Sequence, residues 1–279
     1  MQPVMSIDVE DWFQVENLRG QINRDQWETL PRRVEANTDK ILEIFAETNT
    51  VATFFCLGWI AERHTGLIQR IAAAGHEIAS HGYAHRLIYE QSEDEFRQDI
   101  IAAKSLLEDI TGRVVRGYRA PSFSITPEAL RILQETGHQY DSSWFPVAGH
   151  DRYGHMDMST DAAVISLQSG MKELRITTLS VAGRPIPWGG GGYFRLYPSG
   201  LFRAGFRSAI SAAGGGCFYL HPWEVDPDQP RVANLPRSYA FRHYVNLRHT
   251  AGRLRALCNS ASFTRADYAL GLTAPPRRT

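Results

Sequence analysis

The chain has 279 residues, of which 43% are hydrophobic and 22% charged, with 30 basic and 30 acidic side chains and a formal net charge of zero. That length suits one large domain, or one domain with an appendage, and the charge balance lacks the basic excess that marks most nucleic-acid-binding proteins. The longest apolar run, VATFFCLGWIA, is about half of what a bilayer span needs, so no transmembrane segment is expected. The opening MQPVMSIDVEDW runs almost at once into strand-like sequence and charge, so no secretory leader is expected, and Cys56, Cys217 and Cys258 are too far apart and odd in number for a disulfide framework. Together these features predict a cytoplasmic protein with buried thiols.

Short strand-like runs alternate with helical patterns along the chain. VMSIDV reads as a strand, and TDKILEIFAET as a helix with Ile41, Leu42 and Phe45 at helical spacing. VATFFCL is a buried strand, GLIQRIAAAG a helix closed by Gly75, and HEIAS a further strand. SEDEFRQDIIAAKSLLEDITG is a long helix, opened by a Ser92/Glu95 capping box and stopped at Gly112. VVRGYRA is a strand, TPEALRILQETG a helix with Thr126 as N-cap and Pro127 at its first position, and GGCFYLH a late strand. This order predicts an α/β fold with a mainly parallel, barrel-like sheet over residues 1–225. Beyond the Pro-rich crossing DPDQPRVANLPRS, the amphipathic helix YVNLRHTAGRLRALCNS predicts an extension, residues 226–279, packed on the barrel.

The unusual polar residues fall at predicted strand ends. Asp8, Glu10 and Asp11 close the first strand, His81 the third, Arg119 the fourth and His221 a late one. In α/β folds these C-terminal ends converge on one mouth. SHGYAH, at 80–85, brings His85 four residues after His81. A lone pair of this kind is more often packed or solvated than a metal site, and the convergence of strand ends is what favours the metal reading. Two imidazoles and one carboxylate make a three-ligand site for Zn²⁺ or a similar divalent ion. A second carboxylate beside it could accept a proton from water, and a separate His could protonate a leaving group. The inventory is that of a metal-dependent hydrolase of amides or esters. Side chains two apart on a strand share a face, which pairs Asp8 with Glu10, whereas a bulge at the strand end would bring in Asp11. Arg119 could neutralise the crowded acids.

IDVEDW, SHGYAH, GYRAPSF, YDSSWFP and FYLHPWE occur in the order of the motifs of NodB-type polysaccharide deacetylases, which the chain resembles over roughly residues 4–225. DVEDWF, HPWEVDP and the C-terminal helical region are similar to the branch associated with bacterial exopolysaccharide and exosortase (PEP-CTERM) systems. The resemblance implies a distorted parallel (β/α) barrel and removal of acetyl groups from an N-acetylated oligo- or polysaccharide, or from its lipid-linked precursor. It implies His81 and His85 as metal ligands with Glu10 or Asp11, and Asp8 as base oriented by Arg119. It further implies His221 as general acid, Asp141 as the residue that tunes it, and the Ser122 N–H as an oxyanion donor. The family's first motif commonly has adjacent aspartates where this chain has Asp8, Glu10 and Asp11. In IPWGGGGYFRLYP four glycines give permissive backbone, and Trp188 and Tyr193 are candidates for stacking on sugar rings. The competing readings are a cyclic-amide hydrolase of the allantoinase type on the same fold and a non-catalytic carbohydrate-binding protein.

Overall fold

The computed structural model describes residues 1–146 and 160–275. Its first strand, β1 (Val4–Val9), is buried along its whole length, as expected of a parallel strand covered on both faces. There follow α1 (Val34–Glu47), β2 (Thr53–Cys56), α2 (Gly58–Arg63), α3 (Thr65–Ala73), β3 (Glu77–Ser80), α4 (Glu93–Thr111), β4 (Gly117–Tyr118), α5 (Pro127–Glu135) and β5 (Tyr140–Asp141). The alternation then breaks. β6 (Val164–Ser166), β7 (Lys172–Leu174), β8 (Thr178–Val181) and β9 (Arg184–Pro187) precede α6 (Gly191–Leu196), α7 (Ser199–Ala212) and β10 (Cys217–Leu220). The chain continues through α8 (Arg237–Tyr244), α9 (Leu247–Cys258) and α10 (Ala266–Ala269).

Eight strands form one sheet in the order β10-β1-β2-β3-β4-β5-β7-β6, and β8 and β9 form a separate antiparallel hairpin. Within the large sheet only the β6–β7 pairing is antiparallel. Just past β7, Ile176 bridges in parallel to Cys217 of β10, and the Thr177 N–H donates to the Cys217 carbonyl. The curled sheet therefore meets itself, giving the distorted parallel barrel that the sequence predicts. Local signals set the helix ends. Ser92 and Glu95 cap α4 reciprocally, Gly112 ends it at φ 63°, and Thr126 caps α5 ahead of Pro127.

Residues after 225 are integrated at both ends of the barrel. Leu254, Leu257 and Phe263 share one core with Ile41, Phe45 and Phe218. Thr264 bridges Val4, the Ala266 N–H donates to Thr53 Oγ1, and the Asp267 N–H donates to Glu77 Oε2, so this stretch covers the starts of β1, β2 and β3. The α8 helix lies at the opposite end, where Ser238, Phe241 and Arg242 face the cavity described next. Among the described residues, no helix is long and apolar enough to cross a membrane.

Candidate active site

The strand ends surround a cavity of about 430 Å³, lined by Asp8, Glu10, His81, His85, Ser122 and His221 at its floor. That volume is typical of small-molecule and cofactor sites. Immediately after β1 the Glu10 N–H turns back to the Asp8 carbonyl (3.0 Å), and both carboxylates are buried. The His81–His85 loop is held from outside. Asp99 of α4 accepts from the N–H groups of Tyr83 (2.7 Å) and Ala84 (3.2 Å), and Arg24 donates to the His85 carbonyl (2.9 Å). His85 sits at φ 50°, a conformation that a non-glycine residue keeps only when its surroundings impose it.

Glu10, His81 and His85 bring one ligand atom each within 4.8 Å of one another. Glu10 Oε1 lies 3.0 Å from His81 Nε2 and 3.1 Å from His85 Nε2. His81 Nδ1 lies 2.7 Å from the Arg119 carbonyl, which can only accept, so Nδ1 carries the hydrogen. In the neutral ring Nε2 then holds a lone pair facing a carboxylate, which is repulsive unless a cation lies between them. Two imidazole nitrogens and a carboxylate oxygen, all buried, fit a zinc-class divalent ion. Burial pushes the Glu10 carboxyl up, but His85, His221 and His81 outweigh it and hold it well below the usual carboxylate range.

The structure decides between the two acids geometrically. Asp11 is turned away from this group and caps the turn that follows β1. Its Oδ1 accepts from the Trp12 N–H (2.8 Å), and its Oδ2 accepts from Arg33 (2.8 Å) and Val34 (3.1 Å). Of the two acids left open by the sequence, Glu10 is the one grouped with the histidines, because Asp11 has both oxygens committed to main-chain donors.

Arg119 is fully buried and holds Asp8. Its Nη1 donates to Asp8 Oδ1 at 2.6 Å and to Ser6 Oγ at 2.8 Å, while Nε and Nη2 bind the carbonyl and hydroxyl of Ser142. The guanidinium also lies 4.0 Å over the Phe55 ring. Asp8 Oδ2 is left toward the mouth, 4.0 Å from His221 Nε2. His221 follows β10, and its Nδ1 lies 2.9 Å from Glu224 Oε1, not against Asp141. Asp141 instead accepts from Ser143 Oγ (2.7 Å) and from the Ser143 N–H (3.0 Å), and Ser143 Oγ in turn receives the Ala120 N–H. Asp141 thus braces the loop that carries Ser122, and the expectation that it stands beside His221 is corrected, since Glu224 stands there. Burial pulls the His221 pKa down, but Glu10, Glu224 and Asp8 together raise it to about 9.

Ser122, at φ 50°, and Tyr193 line the cavity. Trp188 does not. It is buried, stacked on Tyr197 at 4.7 Å and on Phe202 at 5.9 Å, with its Nε1–H donated to the Phe202 carbonyl. The expected stacking role is corrected for Trp188, whose faces are already occupied. The glycine run also reads differently, since Gly189, Gly190 and Gly191 are sites of close approach. A Cβ on Gly191 would lie 2.1 Å from Glu224 Oε1, and one on Gly190 would meet the Tyr219 ring at 2.6–2.7 Å. Glu224, Arg195 and Phe241 are site residues that the motifs did not single out. Glu224 was the most accessible of them, lying three residues after His221 in HPWE.

Residues 25–140 match the polysaccharide deacetylase family model, and residues 142–271 match a domain of unknown function, DUF3473. The boundary between the two matches falls inside the barrel. The chain is 36% identical over 98 residues to a peptidoglycan-N-acetylglucosamine deacetylase of Bacillus cereus, a match covering 35% of this chain and 36% of that protein. The chain spans about a third to a half of the length of the peptidoglycan and chitooligosaccharide deacetylases it matches first, and less of others. Among solved structures it is similar to the allantoinase PuuE (TM-score 0.57, 17% identity, 99% of this chain and 91% of that one). It is also similar to BA3943, described as a CE4 family pseudoenzyme from Bacillus anthracis (TM-score 0.52, 14% identity, 96% and 65%). At 17% and 14% identity, these two likenesses speak for the fold alone. The family match and the sequence relatives carry more: residues 25–140 are similar in sequence to polysaccharide deacetylases.

Proposed function

We propose that the protein is a metal-dependent hydrolase that removes the acetyl group from an N-acetylated amino sugar in a glycan. The observation that carries this reading is the Glu10–His81–His85 group, set between a carboxylate held by Arg119 and an imidazole held by Glu224 in one cavity. Glu10, His81 and His85 would hold the ion. When bound, a zinc-class cation supplies Lewis-acid polarisation of the amide carbonyl and acidification of water. Asp8 accepts the proton of the attacking water through Oδ2, with Arg119 fixing the other oxygen. His221 Nε2 donates a proton to the leaving amine nitrogen, and the Ser122 N–H stabilises the developing oxyanion. Tyr193 and Phe241 at the mouth supply apolar faces for a sugar ring.

The B. cereus relative, by name, acts on peptidoglycan N-acetylglucosamine, which supports the glycan class. An exopolysaccharide or lipid-linked precursor, handled in the cytoplasm, is the finer proposal and rests on the DVEDWF and HPWEVDP resemblance. The test uses N-acetylglucosamine oligomers as substrate. Chelation should abolish acetate release and Zn²⁺ or Co²⁺ should restore it. Asp8→Asn should keep the metal while turnover falls roughly 10²–10⁴-fold, the usual worth of positioned proton transfer. Full activity in metal-free protein, or loss of metal in Asp8→Asn, defeats the assignment.

A further inference from the structure

The acid side of the site continues well past His221. Glu224 is buried, and its Oε1 accepts both from the His221 main-chain N–H (3.1 Å) and at the ring's Nδ1 (2.9 Å). Its other oxygen, Oε2, accepts from Arg195 Nε at 2.6 Å. Arg195 is equally buried, and among the described residues Glu224 is the carboxylate it pairs with. Its Nη1 donates to the carbonyls of His243 (3.0 Å) and Val245 (2.8 Å), and its Nη2 to that of Arg242 (2.9 Å). These carbonyls lie at the C-terminal end of α8, where the last turn leaves acceptors unpaired and the helix dipole is negative. One guanidinium therefore caps α8 with one edge and grips Glu224 with the other. The ring stack runs alongside. His221 lies on Trp223 at 5.3 Å, Trp223 lies on His243 at 4.4 Å, and Arg195 sits 5.3 Å from the Trp223 ring. Gly191 completes the arrangement, because any side chain there would occupy the carboxylate's place.

We infer that Glu224 and Arg195 are positioning residues for His221, and that the Arg242–Val245 stretch of the C-terminal region is thereby built into the acid half of the site. The inference rests on the deacetylase reading. Glu224 fixes the hydrogen on Nδ1, which directs Nε2 into the mouth toward Asp8 and Glu10. Arg195 keeps Glu224 an acceptor rather than a competing acid. Burial alone would push that carboxyl up, and the charges and hydrogen bonds of Arg195 and His221 together outweigh it. Only a planar fork reaches the carboxylate and three carbonyls at once, so a lysine at 195 keeps the charge and loses the geometry.

The experiment compares an N-acetylglucosamine oligomer, whose leaving amine needs a proton, with 4-nitrophenyl acetate, whose leaving group needs none. It measures kcat and KM for Glu224→Gln, Arg195→Lys and, as reference, His221→Ala, together with bound zinc. Glu224→Gln should lower kcat on the oligomer by about 10²-fold and Arg195→Lys by about tenfold. KM, ester turnover and zinc content should stay near those of the unaltered protein. Equal loss on both substrates, or loss of zinc, would make the pair merely structural and overturn the inference. If His221→Ala spares the ester while neither positioning variant does, the inference alone fails. If His221→Ala lowers both substrates alike, His221 is not the acid and the inference falls with that reading. Should Glu224→Gln fail to fold, the amide-to-ester ratio of Arg195→Lys decides.

Discussion

Glu10→Gln and Asp11→Asn remove the same charge from adjacent positions, and the structure predicts opposite consequences. Glu10 supplies the only carboxylate of the Glu10–His81–His85 group. Its neutralisation should weaken zinc binding by more than the 10–100-fold typical of losing an outer-shell partner. Metal-free protein should nevertheless stay folded, because the Glu10 side chain answers only to imidazoles. Asp11 accepts three main-chain N–H groups. An asparagine keeps one oxygen and turns an NH₂ toward donors, losing one or two hydrogen bonds to a charged group at about 1.5–3 kcal/mol each. A net loss of about 2–4 kcal/mol lowers Tm by roughly 5–10 °C for a domain of this size, with zinc content unchanged. The assay is metal analysis after dialysis, paired with a thermal melt of the metal-free protein. Zinc lost from Asp11→Asn and retained by Glu10→Gln would refute the ligand assignment and the reasoning that produced it.

In metal-free protein the His221 imidazole should titrate near pH 9 by NMR, because Glu10, Glu224 and Asp8 outweigh burial. Since that value lies above the ordinary one, the stability it contributes is complete below about pH 6.5 and is lost as pH rises through about 9; a flat unfolding profile across that window counts against it. Arg119→Met should cost about 3–5 kcal/mol by leaving a buried carboxylate unpaired, read by denaturant unfolding, whereas an unchanged midpoint would show Asp8 to be independently solvated. Trp188→Ala should cost about 3–5 kcal/mol as a core truncation without selectively raising KM, whereas Tyr193→Ala should raise KM for oligomers at nearly unchanged stability. The reverse pattern would restore Trp188 as a sugar platform.

Much of this geometry could be read from the chain because strand ends are where an α/β sheet exposes side chains. Asp8 lies near the end of one strand-like run, and His81, Arg119 and His221 each follow another, so their convergence is implied by the sequence. Helix ends were legible where a side chain satisfies a main-chain donor, as at Ser92 and Thr126. The same signal is present at Asp11. Asp11 is followed three residues later by Gln14, and the two form a capping box, which argues against metal ligation. Trp188 misled because aromatics beside glycines suit both a sugar platform and a tight core, and only the stacking partners Tyr197 and Phe202 separate these. β6 to β9 are three or four residues each and carry no lasting alternation, so periodicity could not find them. Arg195 lay beyond sequence reasoning, since its partners come from the turn after β10 and from α8.

The two halves of the site solve the same electrostatic problem in opposite directions. The base and the acid proposed here lie 4.0 Å apart, close enough to exchange a proton and disable both unless their surroundings hold them in opposite states. Here each is tied to an arginine, but through a different number of steps. Arg119 grips Asp8 directly, occupying one oxygen and leaving the other as an acceptor. Arg195 acts one group further back. It grips Glu224, and the carboxylate so fixed favours a proton on His221. An arginine placed directly against His221 would have driven that proton off. The intervening carboxylate reverses the sign, and on its far side the positive charge of Arg195 is met by carbonyls at the end of α8. This wiring accounts for a C-terminal region that reaches over the mouth as well as covering the barrel's base.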